Sequence, residues 1–287
     1  MRTLRQAFGI AIEAFDRFGR DDGWAIASHI ALSMLMALFP FVIVVTALAG
    51  FFFGSRELAD EAARILLEAW PHAVAEPIAA DVTGVLVGSR GNVLTFGSLF
   101  ALYFASSGIE SLRIGLNRAY ATTEPRAWWL LRIESVAYVL VGAVALLAFA
   151  FLVVLAPVIW AQLVRHFPGV APFGNVVAFA RYAVAATILV MSLLILHLWL
   201  PSGRRQFRDV LPGIAATLGL WLVSGELFGR YLAQFSGGYV TMYAGLASAM
   251  VALVFLYICA SIFIYGGELN AAIRRAKTQA NDLLPPA

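Results

Sequence analysis

Glu226 and Arg230 stand four residues apart inside a long apolar stretch, and Arg181 lies inside another. An acid and a base at that spacing share one helix face and can pair. Ionisable groups are costly in hydrocarbon, so inside a membrane they mark sites of function by default. The chemistry open to this trio is binding. One carboxylate and two guanidiniums suit an anionic or zwitterionic head group. The plainer reading is a structural ion pair near the membrane boundary, with arginine side chains reaching out to the interface.

A second set lies at the other ends of the apolar stretches. Glu110, Arg113, His197 and Glu268 fall near the expected inner ends, where they could ring an inner vestibule. Backbone irregularity adds two more positions. Pro40 should kink its helix, and Ser106-Ser107-Gly108 allows close helix approach or local unwinding. Gly225 and Gly229, and again Gly245 and Ala249, have the small-xxx-small spacing of packed membrane helices.

Other chemistry is not expected. No phosphate-binding Gly-x-x-x-x-Gly-Lys motif and no Gly-x-Ser-x-Gly elbow occurs. The topology below puts His29 and His197 toward one side and His72 and His166 toward the other, so the four cannot meet at one zinc. The single cysteine, Cys259, lies in an apolar run and rules out an internal disulfide. The reading is therefore of no enzyme, no cofactor, no metal and no nucleic-acid partner.

The elements that position these residues follow from composition. Of 287 residues, 61% are hydrophobic and 13% charged. A soluble domain carries about a quarter charged residues, so this length is spent on membrane spans. A bilayer core needs about 20 helical residues. Six stretches qualify: Trp24–Phe53, Asn92–Ile109 or slightly beyond, Ile133–Leu163, Val176–Leu200, Asp209–Phe235 and Val240–Gly267. The first is too long for the core of a signal peptide and is expected to remain as a span. Pro212 suits the first turn of the fifth, which puts Glu226 roughly 21 Å further along that helix, in the outer half of the core.

The basic residues alternate between sides. Arg2, Arg5, Arg17 and Arg20 precede the first span. Arg113, Arg118, Arg126 and Arg132 follow the second, Arg204, Arg205 and Arg208 follow the fourth, and Arg274, Arg275 and Lys277 follow the sixth. The opposite side holds only Arg56, Arg64, Arg90, Arg165 and Arg230. That bias places both termini in the cytoplasm.

The organisation is then an all-α polytopic protein with six transmembrane helices. Residues 1–23 form a cytoplasmic amphipathic segment, 24–270 the membrane domain, and 271–287 a cytoplasmic tail. In the first segment Leu4, Phe8, Ile12, Phe15 and Phe18 recur at helical spacing opposite Arg5, Glu13, Asp16, Arg17 and Arg20, as in a helix lying in the interface. The external loop 54–91 is acidic, and Glu57–Trp70 reads as a short helical cap.

Four motifs resemble the YihY/BrkB family of bacterial inner-membrane proteins. They are Ala37-Leu-Phe-Pro-Phe41, Phe104-Ala-Ser-Ser-Gly-Ile-Glu-Ser-Leu-Arg-Ile-Gly-Leu-Asn-Arg-Ala-Tyr120, Arg208-Asp-Val-Leu-Pro-Gly213 and Tyr265-Gly-Gly-Glu-Leu-Asn270. The likeness covers about residues 20 to 275. It departs at Gly238-Tyr-Val-Thr-Met-Tyr-Ala-Gly245, where relatives often carry an Asn and a Tyr-Gly pair. The resemblance implies six spans, an inner-membrane location and a link to envelope integrity. In some members it extends to export of a lipid or lipopolysaccharide precursor. An old label, ribonuclease BN, is attached to the family, and no cytoplasmic metal or acid–base site in this sequence fits it. The expected function is a transporter or flippase-like protein for an anionic amphiphilic envelope component. The alternative is a structural scaffold of the envelope. Membrane lipids are the expected partners, and the residues set no oligomeric state.

Overall fold

An apolar stretch in hydrocarbon must satisfy its backbone polar groups within itself, and a helix does so. The computed structural model describes residues 2–53, 91–152, 156–243 and 247–282, and those residues hold helices and no strand. The helices are α1 (Arg2–Arg20), α2 (Gly23–Phe53), α3 (Gly91–Ala119), α4 (Trp128–Ala150), α5 (Ala156–His166), α6 (Gly174–Trp199), α7 (Phe207–Tyr243) and α8 (Ala247–Asp282). A 3₁₀ turn, Pro168–Phe173, precedes α6. Among the described residues four segments are long and apolar enough to cross a membrane: Trp128–Phe149, Pro168–Trp199, Phe207–Gln234 and Ala249–Gln279. Helices α2 and α3 cover the first and second expected spans. The expected external loop, with its helical cap, lies outside the described residues.

Three expected boundaries change. The third stretch begins earlier, at Trp128 of α4, and α5 covers its end, with residues 153–155 outside the described residues. The fifth helix runs on through Tyr243, so the sixth begins at Ala247 rather than Val240. Helix α3 continues ten residues past Ile109. Its extension is buried on most sides: Leu112, Leu116 and Ala119 recur at helical spacing and are buried, as are Ser111, Arg113 and Asn117.

The chain divides into two compact units. One comprises Met1–Leu35, Gly108–Leu131 and Leu193–Ala287, the other Met36–Ser107 and Arg132–Ser192. Helix α2 continues as one helix through Pro40, and the division falls one turn before that proline and again between Ser107 and Gly108.

In the first unit α8 packs along α7 on one side and along α1 on another. Phe18, Ile30, Leu116, Leu200, Ile214 and Ile264 are fully buried there. Gly115 makes room for the packing: a Cβ at that position would meet the side chains of Ile264, Ile30 and Ile26. In the second unit Val42, Val45 and Ala143 are buried, and the Arg132 guanidinium lies 3.7 Å over the Tyr103 ring.

Candidate functional site

The most connected polar assembly in the first unit begins with two glycines. Gly213 sits in the second turn of α7, just after Pro212, and Gly266 on α8 faces it. A Cβ on Gly213 would run into the Gly266 carbonyl, and one on Gly266 would strike Thr217 Oγ1. Gly213 and Thr217 on α7 thus oppose Gly266 and Asn270 on α8, two four-residue spacings of small or polar residues that let backbones approach closely. That approach brings the Gly213 N–H within 2.7 Å of Asn270 Oδ1, to which it donates.

The rest follows from donor and acceptor roles. Asn270 Oδ1 is an acceptor, so its Nδ2 must donate, and it does so to Tyr120 Oη at 3.2 Å. Tyr120 Oη lies 2.9 Å from His197 Nδ1. Which of the two donates depends on the imidazole tautomer. The other ring nitrogen of His197 is Nε2. That second nitrogen is buried and has no hydrogen-bond partner among the described residues. The His197 ring instead lies against Phe263, with centroids 4.8 Å apart. Burial pushes the Tyr120 phenol up to about 12, and the Asn270 hydrogen bond acts weakly the other way.

A clasp of short loops holds this hub. Glu124 takes Arg126 in a fork, with Nε to Oε1 and Nη2 to Oε2 both at 2.7 Å. Asn117 Nδ2 donates to Glu124 Oε2 at 3.0 Å. The Arg126 hydrogen bonds, with Asn117 assisting, pull the Glu124 carboxyl down to about 2. Asn117 Oδ1 accepts from Ser202 N, and Arg126 Nη2 donates to Leu200 O. Arg205 donates to the carbonyls of Pro201, Ser202 and Gly203 and stacks 4.1 Å over the Tyr120 ring. The carbonyls just past the end of α6 are thus covered by guanidiniums, which also complement the negative end of the helix dipole.

The expected site residues fall in different surroundings. Glu226 and Arg230 pair, Nε to Oε1 at 2.7 Å, with side chains 64% and 75% exposed. Arg181 belongs to the second unit, where its guanidinium stands 4.6 Å over the Tyr182 ring. Of the inner set, His197 is in the hub. Arg113 is buried and donates from Nη2 to Leu131 O at 3.1 Å. Glu268 is 1% exposed, within electrostatic range of Asp21, Arg17 and Arg275. Glu110 is half-buried. Ser106 and Ser107 donate to the carbonyls of Tyr103 and Phe104 on their own helix, and Gly108 is buried beside them. Gly225 and Gly229 do not serve as a packing pair, since a Cβ at either meets nothing within 4 Å. Gly245 lies outside the described residues.

Sequence reading did not nominate Tyr120, Gly213 or Asn270 as site residues. Yet each is the last residue of one of the motifs that carried the family resemblance, and the structure ties those three ends together. The virulence factor BrkB family matches residues 14–287, nearly the whole chain. The chain belongs to that family.

Among relatives of this BrkB-family chain is the "putative ribonuclease-like protein YfkH" of Bacillus subtilis (strain 168). It is 27% identical over 268 residues, covering 92% of this chain and 95% of that protein. Another is the "UPF0761 membrane protein RC1_0578" of Rhodospirillum centenum (strain ATCC 51521 / SW), 25% identical over 276 residues. That match covers 94% of this chain but only 58% of the longer protein. No solved structure matches. Among the described residues, no group of three or more His, Cys, Asp or Glu is placed to hold a metal ion.

Proposed function

We propose that this BrkB-family membrane protein is a transporter or flippase-like protein of the bacterial inner membrane. It crosses six times, with both termini cytoplasmic. Its cargo is an anionic amphiphilic envelope component such as a lipid or lipopolysaccharide precursor. The observation that carries the reading is where Glu226 and Arg230 sit. They are paired, but on an open surface of α7, beside exposed Leu222, Val223 and Leu227. A charge pair facing hydrocarbon is unfavourable unless water or polar head groups reach it. An exposed pair offers a carboxylate and a guanidinium to a passing head group, with no helix to move aside first. Exposed Trp24, Trp128, Trp129 and Trp199 at helix ends are consistent with one membrane interface at that level.

The test is translocation of fluorescent phosphatidylglycerol in proteoliposomes. The protein should accelerate it, and Glu226→Gln with Arg230→Ala should slow it. Unchanged rates in the double variant would remove the pair from the mechanism. Failure to move any envelope lipid would count against the class.

The hub favours a second reading, a non-transporting scaffold, because its backbones are packed too closely to part easily. Under that reading the envelope weakens when the protein is lost, while lipid movement does not change. The word ribonuclease in the name of the Bacillus relative is not carried to this chain. Metal-dependent RNA cleavage by the pure protein, abolished by changing one cytoplasmic cluster, would restore it.

A further inference from the structure

Helix α1 has three sides. One is buried: Ala14 and Phe18 are 0% and 2% exposed. Along that side Tyr265 Oη donates to Ala11 O at 3.2 Å, and Arg275 lies 3.7 Å from Glu13. These contacts clamp α1 to α8. A second side is polar, with exposed Arg5, Asp16 and Arg20. The third side is apolar and open. Phe8, Ile12 and Phe15 recur at helical spacing and are 68%, 46% and 55% exposed.

No described residue of the first unit covers this stripe, and its surroundings say what does. Helix α1 joins α2 through a two-residue turn in which Asp22 has φ +55° and pairs with Arg118 at 2.8 Å. Gly23 lets Phe18 tuck beneath that turn, since a Cβ there would strike the Phe18 ring. The turn sets Trp24 edge-on to Phe18 at 4.8 Å and to Phe15 at 6.2 Å. Trp24 is itself exposed, as are Trp128, Trp129 and Trp199 of the same unit, each at an end of an apolar helix. Tryptophans at such ends settle at the head-group level of a bilayer. Through Phe15 the apolar stripe runs directly on from Trp24.

The geometry points to α1 as a lipid-surface element. Phe8, Ile12 and Phe15 seat in the head-group boundary of the leaflet beside the termini, while the buried side stays clamped to α8. Exposed Arg5 and Arg20 flank the stripe and favour anionic lipid, and Glu13 is offset by Arg17 at 3.1 Å and by Arg275.

The test uses the single cysteine. In a Cys259→Ala background, Phe8→Cys and Phe15→Cys carry an environment-sensitive fluorophore, with Gly9→Cys and Asp16→Cys as controls. Each is placed in vesicles of phosphatidylethanolamine and phosphatidylglycerol. Lipids brominated near the top of the acyl chain should quench the Phe8 and Phe15 labels and shift their emission to the blue. Aqueous iodide should quench the Gly9 and Asp16 labels. Equal iodide quenching at all four positions overturns the inference. So does shielding of Phe8 and Phe15 from both quenchers together with disulfide cross-linking between copies, which would make the stripe a protein interface. A measurement on the unaltered protein guards against misfolded variants. A photoreactive lipid with its group near the head group should label the peptide holding Phe8–Phe15. Labelling of α4 and α6 peptides without α1 would also overturn it.

Discussion

The same substitution, Gly→Ala, should have opposite signs at two places on α7. At Gly225 and Gly229 an added methyl meets nothing within 4 Å. There the change removes backbone freedom from the unfolded chain and gains up to about 1 kcal/mol of helix propensity. At Gly213 the methyl would occupy the place of the Gly266 carbonyl and crowd Asn270 Cγ and Nδ2. A carbonyl within a helix cannot rotate away as a flexible side chain can, so the two helices must separate. Overpacking of this kind costs about 1–3 kcal/mol. Separation also stretches the 2.7 Å Gly213–Asn270 hydrogen bond, worth about 0.5–1.5 kcal/mol net. Set against a propensity gain of at most about 1 kcal/mol, Gly213→Ala should destabilise by about 0.5–4.5 kcal/mol. Gly266→Ala should do likewise through Thr217 and the Gly213 carbonyl. The assay is thermal or denaturant unfolding in detergent micelles, with the four variants run side by side. If Gly213→Ala is as stable as Gly225→Ala, the α7–α8 backbones are not in close contact and the hub argument fails.

Two further outcomes follow from the hub and its clasp. Tyr120→Phe leaves Asn270 Nδ2 and His197 Nδ1 without their common partner and should cost about 1–3 kcal/mol for each buried group stranded. With Asn270→Leu it should be non-additive by about 0.5–3 kcal/mol in a double-mutant cycle, whereas independent costs would show the two side chains uncoupled. Because Arg126 holds the Glu124 carboxyl at about 2 rather than 4.5, the pair adds stability that is complete above the ordinary value and is lost as pH falls from about 4.5 toward 2. Glu124→Gln should flatten that acid limb of the unfolding profile, and an unchanged limb would assign it to other carboxylates.

Four of the six expected membrane stretches were legible because they depend on composition: a long apolar run satisfies its own backbone in hydrocarbon by becoming a helix. The Glu226–Arg230 pair was legible because four-residue spacing fixes a shared face before any tertiary contact exists. The hub was not. Tyr120, His197, Gly213 and Asn270 come from four separate segments, and none has a local partner that spacing could reveal. Spacing even favoured the wrong glycines. Gly225 and Gly229 repeat at four residues but stand open, whereas Gly213 packs with Thr217 as the second small residue of its pair.

Helix α7 therefore has two unlike ends. Near its start Gly213 and Thr217 are fixed against α8, where backbone crowding leaves no room for a side chain. Thirteen residues beyond Gly213, roughly 20 Å along the axis, Glu226 begins the charged pair on an open face. The contact with α8 continues past Thr217, with Trp221 Nε1 donating to Cys259 O and Phe228 lying against Phe255, so α7 can present charge on its open face without disturbing its packed one. Substitutions at the two ends should then separate: those at Gly213 should act on stability, and those at Glu226 and Arg230 on lipid movement with stability preserved. A loss of stability from Glu226→Gln equal to that from Gly213→Ala would mean that the pair is structural, and the transport reading would lose its main support.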